Sequence, residues 1–355
     1  MLSLTHSHLL AEEKATGSER GCSYYMWKQK FPVRQENKVE RRMDVEQLVI
    51  TLAFPIEERL NRGMSSPGVY AFLPTEMVTN FPFIIQADFL LAASRETILL
   101  DNKWNKGILA CVPSAFIDAL VSLIKNSENA PVSSLAPMFK FIPVNTSSYQ
   151  ELNIVRESIK AKLIEENIVP SESYTKQKFF HKPREVGRLM PAFWSILEKA
   201  WKQEVSLFNL SSHGKYILSS SFDKEEYDHI LNFLGVEPVN NEWYAKCIQS
   251  SNLVAGVSED LHLEILLFVA DNWMSKFDCT NMKNIALYIK YVGLDGDESL
   301  CSINECTHRN RERLVSLSRQ YDQVSWLVDC SKEFRCVGNR FFSAKKHTRS
   351  YILQL

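Results

Sequence analysis

Short apolar runs alternate with turn signals through the first hundred residues. The runs 48–54, 68–73 and 81–91 are rich in Val, Ile, Leu and Phe, and each lies between Pro, Gly, Asn or Ser residues. Runs of this length and composition are typical of β-strands, and their near-continuous apolar character favours a sheet that is covered on at least one face. The pattern therefore predicts three strands.

A long helix is predicted directly after these strands. Within 105–126, Ser114, Asp118 and Ser122 recur every four positions and form one narrow polar stripe, while the other faces are apolar. We expect this helix to be largely buried against the sheet. The polar residues also interrupt the apolar stretch 107–124, so it falls short of the roughly 20 predominantly apolar residues that a membrane span needs.

Helical spacing of apolar residues dominates the middle of the chain, and mixed structure follows. The predicted helices cover 149–167, 193–201, 225–234 and 260–273. Near the C-terminus, apolar runs at 285–292 and 299–303 flank an Asp-Gly pair, which is a hairpin signal.

These elements predict an α+β fold with four parts. The first is a loose N-terminal extension, 1–26, and the second is a β-β-β-α domain, 27–130. A mainly helical region, 146–275, and a small α/β unit, 276–355, complete the chain. A chain of this length is sufficient for two or three packed domains.

The charge balance excludes one class of function. With 41 Lys and Arg against 42 Asp and Glu, the chain lacks the basic excess of a dedicated nucleic-acid binder. Its N-terminal residues do not have the pattern of a signal peptide, and eight scattered Cys residues favour reduced thiols over a disulfide framework. We therefore expect an intracellular protein of the cytoplasm or nucleus.

Six segments carry a family resemblance: Gly68–Thr75, Phe81–Phe89, Ser94–Glu96, Trp104–Asn105, His181–Arg188 and Pro191–Trp194. They resemble the sacsin/Nov family, most closely its NO VEIN-like plant branch of GHKL (histidine kinase, gyrase and heat-shock chaperone-like) ATPase-like proteins. The resemblance implies a region C-terminal to the nucleotide domain, in a position comparable to the middle domain of gyrase-type and Hsp90-like ATPases. It also implies a chaperone-like or developmental role.

The nucleotide-binding motifs of that family are missing from this sequence. It contains no Glu-x-x-x-Asn-x-x-Asp helix, no Asp-x-Gly-x-Gly turn and no P-loop, and the nearest imitation, 294–297, lacks the second Gly. We therefore expect no enzymatic activity and no cofactor in this chain alone.

Arg95 is the charged residue with the most specific potential role. In gyrase-like ATPases a basic residue of the middle domain contacts the γ-phosphate, so the resemblance implies this role for Arg95, with Lys103 as the second candidate. Because the chain has no nucleotide domain, such a contact would be made in trans. The alternative is structural: Arg95 pairs with Glu96 or Asp101, or caps backbone carbonyls.

The C-terminal tail carries two further candidate sites. Arg309, Arg311 and Arg313 form a basic stretch that would contact phosphates or an acidic partner, and the alternative is a solvated helix face. Five Cys and His residues in the same region have spacings unlike the tight pairs of zinc sites, so we expect no metal. They are Cys301, Cys306, His308, Cys330 and Cys336.

The leading hypothesis is a non-enzymatic scaffold or protein-interaction module with an unidentified protein partner. One alternative is a middle domain that completes the ATPase site of a separate nucleotide-domain protein. A second is nucleic-acid binding through the basic tail, which the overall charge disfavours. A truncated homologue, without independent function, is the remaining interpretation of a chain that lacks the nucleotide domain.

Overall fold

The computed structural model of the chain contains two compact units, each built from more than one stretch of sequence. Unit 1 comprises Met1–Pro170, Lys178–Arg184 and Ser221–Val236, and unit 2 comprises the remainder. Neither unit coincides with one predicted range, so the predicted boundaries stay predictions. The structure describes residues 3–13, 18–56, 68–126, 131–173, 179–207, 210–250, 253, 256–277, 279–285, 288–292, 297–301, 314–316 and 328–329.

Helices and strands are mixed along the described chain, which confirms the predicted α+β class. The strands are β1 (Ser3–Glu13), β2 (Ser18–Pro32), β3 (Gln47–Pro55), β4 (Val69–Ala71), β5 (Leu73–Pro74), β6 (Ile84–Gln86), β7 (Val169–Ser171), β8 (Phe179–His181), β9 (Val186–Gly187), β10 (Tyr216–Ile217), β11 (Tyr288–Val292), β12 (Asp297–Cys301), β13 (Leu314–Ser316) and β14 (Val328–Asp329). The α-helices are α1 (Lys103–Asn126), α2 (Val132–Leu135), α3 (Gln150–Leu163), α4 (Pro191–Lys202), α5 (Asp228–Leu234), α6 (Asn241–Ser250) and α7 (Glu259–Asp271).

A six-stranded sheet in the order β1-β2-β3-β6-β4-β5 forms the framework of unit 1. The strands β1, β2, β3 and β6 are antiparallel in succession, whereas β4 is parallel to β6 and antiparallel to β5. The three predicted strands are present, but the second is a tight hairpin of β4 and β5, and the third, β6, is only three residues long.

The predicted loose extension at the N-terminus is wrong, because β1 and most of β2 lie within it. The two strands pair over eleven consecutive residues, and β2 then pairs with β3 from Tyr24 to Pro32. Trp27 of β2 lies opposite Leu52 and is buried. Pairing with an apolar neighbouring strand therefore gives structure to a polar segment whose own pattern predicts none.

Helix α1 packs on one face of the sheet and contributes buried side chains from Trp104 to Ile124 to the core of unit 1. Gln29 of β2 donates a hydrogen bond to Asp118 of α1 (2.8 Å), and Phe116 of α1 lies 6.0 Å from Phe54 and 5.0 Å from Phe83 between ring centroids. Among the described helices, α1 alone is long and apolar enough to cross a membrane, and 67% of that window is buried inside the protein. Its apolar composition is therefore explained by the core that it fills.

Two further helices extend the packing of unit 1 beyond α1. Helix α3 packs on α1, and α5 packs on α3. Arg156 of α3 donates two hydrogen bonds to the carbonyl of Val144 (2.9 and 2.7 Å), and its guanidinium lies 4.8 Å from the ring centre of Phe233. As predicted, α5 ends at Gly235, whose φ of 73° is the left-handed conformation that glycine adopts easily.

Unit 2 has its own core, which lies around helices α4, α6 and α7. Phe193 of α4 meets Tyr244 of α6 edge to face at 5.1 Å, and Lys199 of α4 forms an ion pair with Glu264 of α7 at 2.7 Å. Helix α6 was not predicted, although Asn240 accepts a hydrogen bond from the backbone of Trp243 (2.8 Å) as an N-cap residue does. The described strands β11 to β14 form an antiparallel sheet in the order β12-β11-β13-β14.

We expect the aromatic cluster under the sheet to be the most sensitive part of unit 1. Phe83 is fully buried between Phe54, Phe81 and Phe116. Phe83→Ala should lower the free energy of unfolding by about 3–5 kcal/mol, because it removes a buried ring and leaves a cavity. Chemical denaturation, with hydrogen exchange of the β3 amides as a local reporter, measures the loss. An unchanged stability would contradict this core, and Leu73→Ala, at an exposed position, is the control.

Candidate functional site

Strained backbone is concentrated in one short stretch of unit 1. Four non-glycine residues of the described chain have a positive φ, and three of them, Phe72 (65°), Asn80 (59°) and Arg95 (63°), lie between β4 and α1. The left-handed conformation costs roughly 1–2 kcal/mol for a residue with a Cβ, although Asn tolerates it better. Such conformations persist where the surrounding structure enforces them, and they cluster at functional sites.

The first strained turn presents two apolar side chains to solvent. Phe72 lies between β4 and β5, and the side chains of Phe72 and Leu73 are 78% and 76% exposed. Thr75 is buried behind the turn, where its hydroxyl and its backbone N–H both donate to the carbonyl of Val69 (2.8 and 3.0 Å). A buried polar side chain therefore closes this hairpin and holds its tip in place.

Close packing behind the hairpin also depends on glycine. The N–H of Gly68 donates to the carbonyl of Met77 (2.9 Å), and a Cβ at Gly68 would collide with the side chain of Thr79. Thr79 is itself buried, and its hydroxyl accepts from the backbone of Phe81 (3.1 Å). Gly68 and Thr79 therefore allow two backbone segments to approach more closely than bulkier residues would.

Arg95 lies at the tip of a second strained turn. Two short arms precede and follow it: Leu91 pairs with Ile98, and the N–H of Leu99 donates to the carbonyl of Leu90 (2.9 Å). The third strand, predicted over 81–91, ends earlier, at Gln86 of β6, so Arg95 is separated from it by this turn.

Asn105 fastens the arms of the Arg95 turn to the first turn of α1. Its side chain is fully buried, and its Oδ1 accepts from the N–H of Leu90 (2.8 Å) while its Nδ2 donates to the carbonyls of Leu90 (2.8 Å) and Leu99 (3.0 Å). One amide thus bonds three backbone groups: it supplies the acceptor for the N–H of Leu90 and a second donor to the carbonyls of Leu90 and Leu99. The position of Arg95 is consequently tied to the position of α1.

The beginning of α1 is anchored to the sheet side by a second set of contacts. Trp104, almost fully buried, donates from Nε1 to the carbonyl of Asp88 (2.8 Å). The carboxylate of Asp88 accepts from Nε and Nη2 of Arg42 (2.8 and 3.0 Å). This bidentate pair raises the pKa of Arg42, chiefly through the hydrogen bonds, and keeps the chain between β6 and α1 in one conformation.

The two strained turns are joined through their backbones. The N–H of Glu76, just after β5, donates to the carbonyl of Glu96, beside Arg95 (2.8 Å). Phe72, Leu73, Glu76, Arg95 and Glu96 are all exposed. We call these five residues the two-turn surface: an apolar pair together with three charged residues, held by buried polar contacts from behind.

Neither predicted phosphate-contact residue is engaged within unit 1. Among the described residues, the side chains of Arg95 and Lys103 form no hydrogen bond or ion pair, and both are exposed. The expected structural alternative, in which Arg95 pairs with Glu96 or Asp101, is therefore not observed. Lys103 is involved only through its carbonyl, which accepts from Asn37 (2.9 Å). Asn105 connects the elements that carry the two cations, but the structure shows no direct contact between them.

The other predicted sites fall largely outside the described residues. Arg309, Arg311 and Arg313 lie there, as do the Cys and His residues of the tail other than Cys301. Within the described ranges, no group of three or more His, Cys, Asp or Glu residues is arranged to hold a metal ion. The basic tail and the zinc alternative thus stay untested predictions.

The exposed pair Phe72–Leu73 was not identified as a candidate from the sequence pattern. Both residues belong to an apolar run that predicts a buried strand interior, and only Pro74, which closes the run, marks a boundary. The clamps Thr75, Thr79 and Asn105 also have no distinguishing local signal. Their role becomes visible only when the turns that they bond are placed in space.

Comparison with known proteins finds one relative for part of this chain. The chain is 39% identical over 85 residues to Protein NO VEIN from Arabidopsis thaliana. The aligned part covers 23% of this chain and 3% of NO VEIN. No protein-family model and no solved structure matches the chain.

This chain is similar to a small part of NO VEIN. The similarity supports the predicted relation to NO VEIN-like plant proteins over that part. The aligned part is too small to extend the relation to GHKL ATPases, or to transfer any activity or partner of NO VEIN to this chain.

Removing the Asn105 clamp should destabilise the Arg95 turn. Asn105→Ala leaves the N–H of Leu90 without its partner, at a cost of about 1–3 kcal/mol if that amide stays buried and unbonded, and it removes one of two donors from the carbonyls of Leu90 and Leu99. Hydrogen exchange at Leu90 and Leu99 should accelerate together with a drop in unfolding free energy. Asn232→Ala, at an exposed position of α5, is the matched control. Unchanged exchange at Leu90 would exclude the clamp.

Proposed function

We propose that this chain is a non-catalytic protein-interaction module and that the two-turn surface is its binding site. The observation that carries the proposal is the exposure of Phe72 and Leu73, at 78% and 76%, on a turn that is strained and braced. A free apolar pair of this kind costs hydrophobic free energy in water, and partner burial recovers it. The strain in Phe72 indicates that the tip is held in one conformation before binding.

The chemistry around the pair fits a protein partner. Interfaces typically have an apolar centre and a polar rim, and a few large side chains supply most of the affinity. Phe72 and Leu73 supply such a centre, while Glu76, Arg95 and Glu96 supply charged groups beside it. We propose an apolar pocket on a separate folded protein as the complement.

Two further considerations support a module rather than an enzyme. The sequence lacks the nucleotide-binding motifs of the family that it resembles. The buried polar side chains behind the two-turn surface, Thr75, Thr79 and Asn105, bond backbone rather than one another. The scaffold role, the GHKL relation and the chaperone-like or developmental role implied by the resemblance belong to this proposal.

The apolar pair is tested by crosslinking followed by a binding measurement. A chain with photoreactive p-benzoylphenylalanine in place of Phe72 should form a discrete adduct with its partner protein. The same substitution at Ile154, an equally apolar residue that is 59% exposed on α3, should form none. The adduct partner is then purified. Its Kd for the chain should rise at least tenfold when Phe72→Gly and Leu73→Ser are combined.

The choice of variants keeps the fold intact. Glycine adopts the φ of 65° at position 72 without strain, so Phe72→Gly removes the ring and leaves the turn undisturbed. Ile154→Ser is the control and should leave the Kd unchanged. Equal binding of the purified partner to the wild-type chain and to the Phe72→Gly, Leu73→Ser variant would refute the proposed site.

A second candidate function rests on the free guanidinium of Arg95. An exposed arginine with no partner among the described residues, on a turn fixed to α1, is available to contact a phosphate in trans. In this alternative the chain completes the ATP site of a separate protein that carries the nucleotide domain, and Lys103 assists. Nucleic-acid binding through Arg309, Arg311 and Arg313 has no comparable structural support.

The second candidate predicts an effect on ATP turnover that depends on Arg95. Added to a purified sacsin/Nov-type nucleotide domain, the chain should raise the rate of hydrolysis, and Arg95→Ala should reduce that gain on the order of a hundredfold. Arg34→Ala, at another exposed arginine, is the control. A calorimetric titration of the chain alone with magnesium-ATP should show no heat. Stimulation that survives Arg95→Ala would exclude this role without affecting the Phe72 test.

A further inference from the structure

The outer edge of β1 is unpaired in the described structure. Strand β1 is the first strand of the six-stranded sheet, and β2 is its only neighbour among the described strands. The pairing with β2 runs through eleven consecutive residues in a regular antiparallel register. Every second residue of an edge strand directs its backbone N–H and C=O away from the sheet, so β1 carries a long row of these groups.

Apart from Glu12 and Glu13 at its end, β1 lacks the features that normally protect a sheet edge. Natural edge strands are usually short, or carry Pro, Lys or a β-bulge that prevents pairing with another chain. Strand β1 is eleven residues long, contains no Pro, Lys or Arg, and has no bulge in its register. The opposite edge of the sheet, β5, is two residues long and contains Pro74. The contrast indicates that the β1 edge is suited to pairing.

We infer that β1 pairs with β1 of a second copy of this chain, antiparallel and around a two-fold axis at His8. This register uses all eleven residues and would form about ten backbone hydrogen bonds, which is the number that a typical protein interface contains. Two sheets then continue as one across the interface. Closed two-fold pairing of this kind is the commonest form of oligomer.

The charges of β1 favour this antiparallel arrangement. Its acidic residues, Glu12 and Glu13, are adjacent at one end of the strand. Two-fold pairing around His8 places them opposite Leu4 and Ser3 of the second copy, with the two acidic ends far apart. A parallel arrangement in register would place like charges side by side, which destabilises strand pairing.

This interface is independent of the proposed function. Strands β1 and β5 lie at opposite edges of the sheet, five strand spacings apart, or about 24 Å. The turn that contains Phe72 adjoins β5, so a second copy on β1 leaves the two-turn surface accessible. Failure of either proposal therefore leaves the other standing.

A charge-swap experiment tests the partner and the register together. His8 pairs with the uncharged Ser23 in β2, so a charge at position 8 creates no like-charge pair within one copy. In the dimer, position 8 lies opposite itself, and His8→Lys or His8→Glu places two like charges together. Each variant alone should dimerise roughly tenfold more weakly than the wild-type chain, and an equimolar mixture of the two should recover wild-type affinity.

Sedimentation equilibrium of the full chain, up to about 0.1 mM, measures these affinities. Circular dichroism of the two variants confirms that they fold as the wild-type chain does. A wild-type chain that stays monomeric throughout this range overturns the inference and leaves a strand from another protein as the occupant of the edge. A mixture of His8→Lys and His8→Glu chains that associates no better than either variant alone overturns it as well.

Discussion

The buried amide of Asn105 couples the exposed turns of unit 1 to its core. A buried polar side chain has to be hydrogen-bonded, and Asn105 meets this requirement with the backbone of Leu90 and Leu99 on either side of the Arg95 turn. Because Asn105 belongs to the first turn of α1, the turn is positioned by the helix. The helix is positioned in turn by the sheet, through Phe116 against Phe54 and Phe83. The geometry of a surface feature thus depends on the packing of the interior.

Hydrogen bonds from buried side chains also explain why Phe72 and Arg95 keep a left-handed backbone conformation. Phe72 and Arg95 would each relax to a more favourable φ if their turns were free. Thr75 closes one turn from behind, and Asn105 closes the other, while the Glu76–Glu96 bond joins them. The hydrogen bonds offset strain at the tips, and the result is a pair of turns with defined positions rather than mobile loops. Such pre-organisation lowers the conformational entropy that a binding partner has to overcome.

An element could be predicted from the sequence where its own residues carry the pattern, and could not where a distant segment determines its structure. Strand β3 and helix α1 were predicted closely because their apolar patterns are continuous and their burial is satisfied by direct neighbours. Strand β2 was missed because Trp27 is buried by its pairing with β3, which the pattern of β2 alone does not reveal. The hairpin at Phe72 was predicted as the interior of a strand, because an apolar pattern does not reveal which residues a tight turn leaves exposed. Arg95 was selected through the family resemblance, and only the structure shows that its side chain has no partner among the described residues.

The distribution of polar groups bears on the choice between an enzyme and a binding module. A catalytic site brings titratable side chains together so that they alter one another, usually within a cleft. From β4 to the first turn of α1, the buried polar side chains are two threonines and an asparagine. None of them titrates in the physiological range, and each bonds backbone. The charged residues Glu76, Arg95 and Glu96 are exposed beside an apolar pair. Neutral groups inside and charged groups outside are what a rigid platform for recognition requires, and Arg95 is the one residue there that would serve a phosphate as readily as a protein.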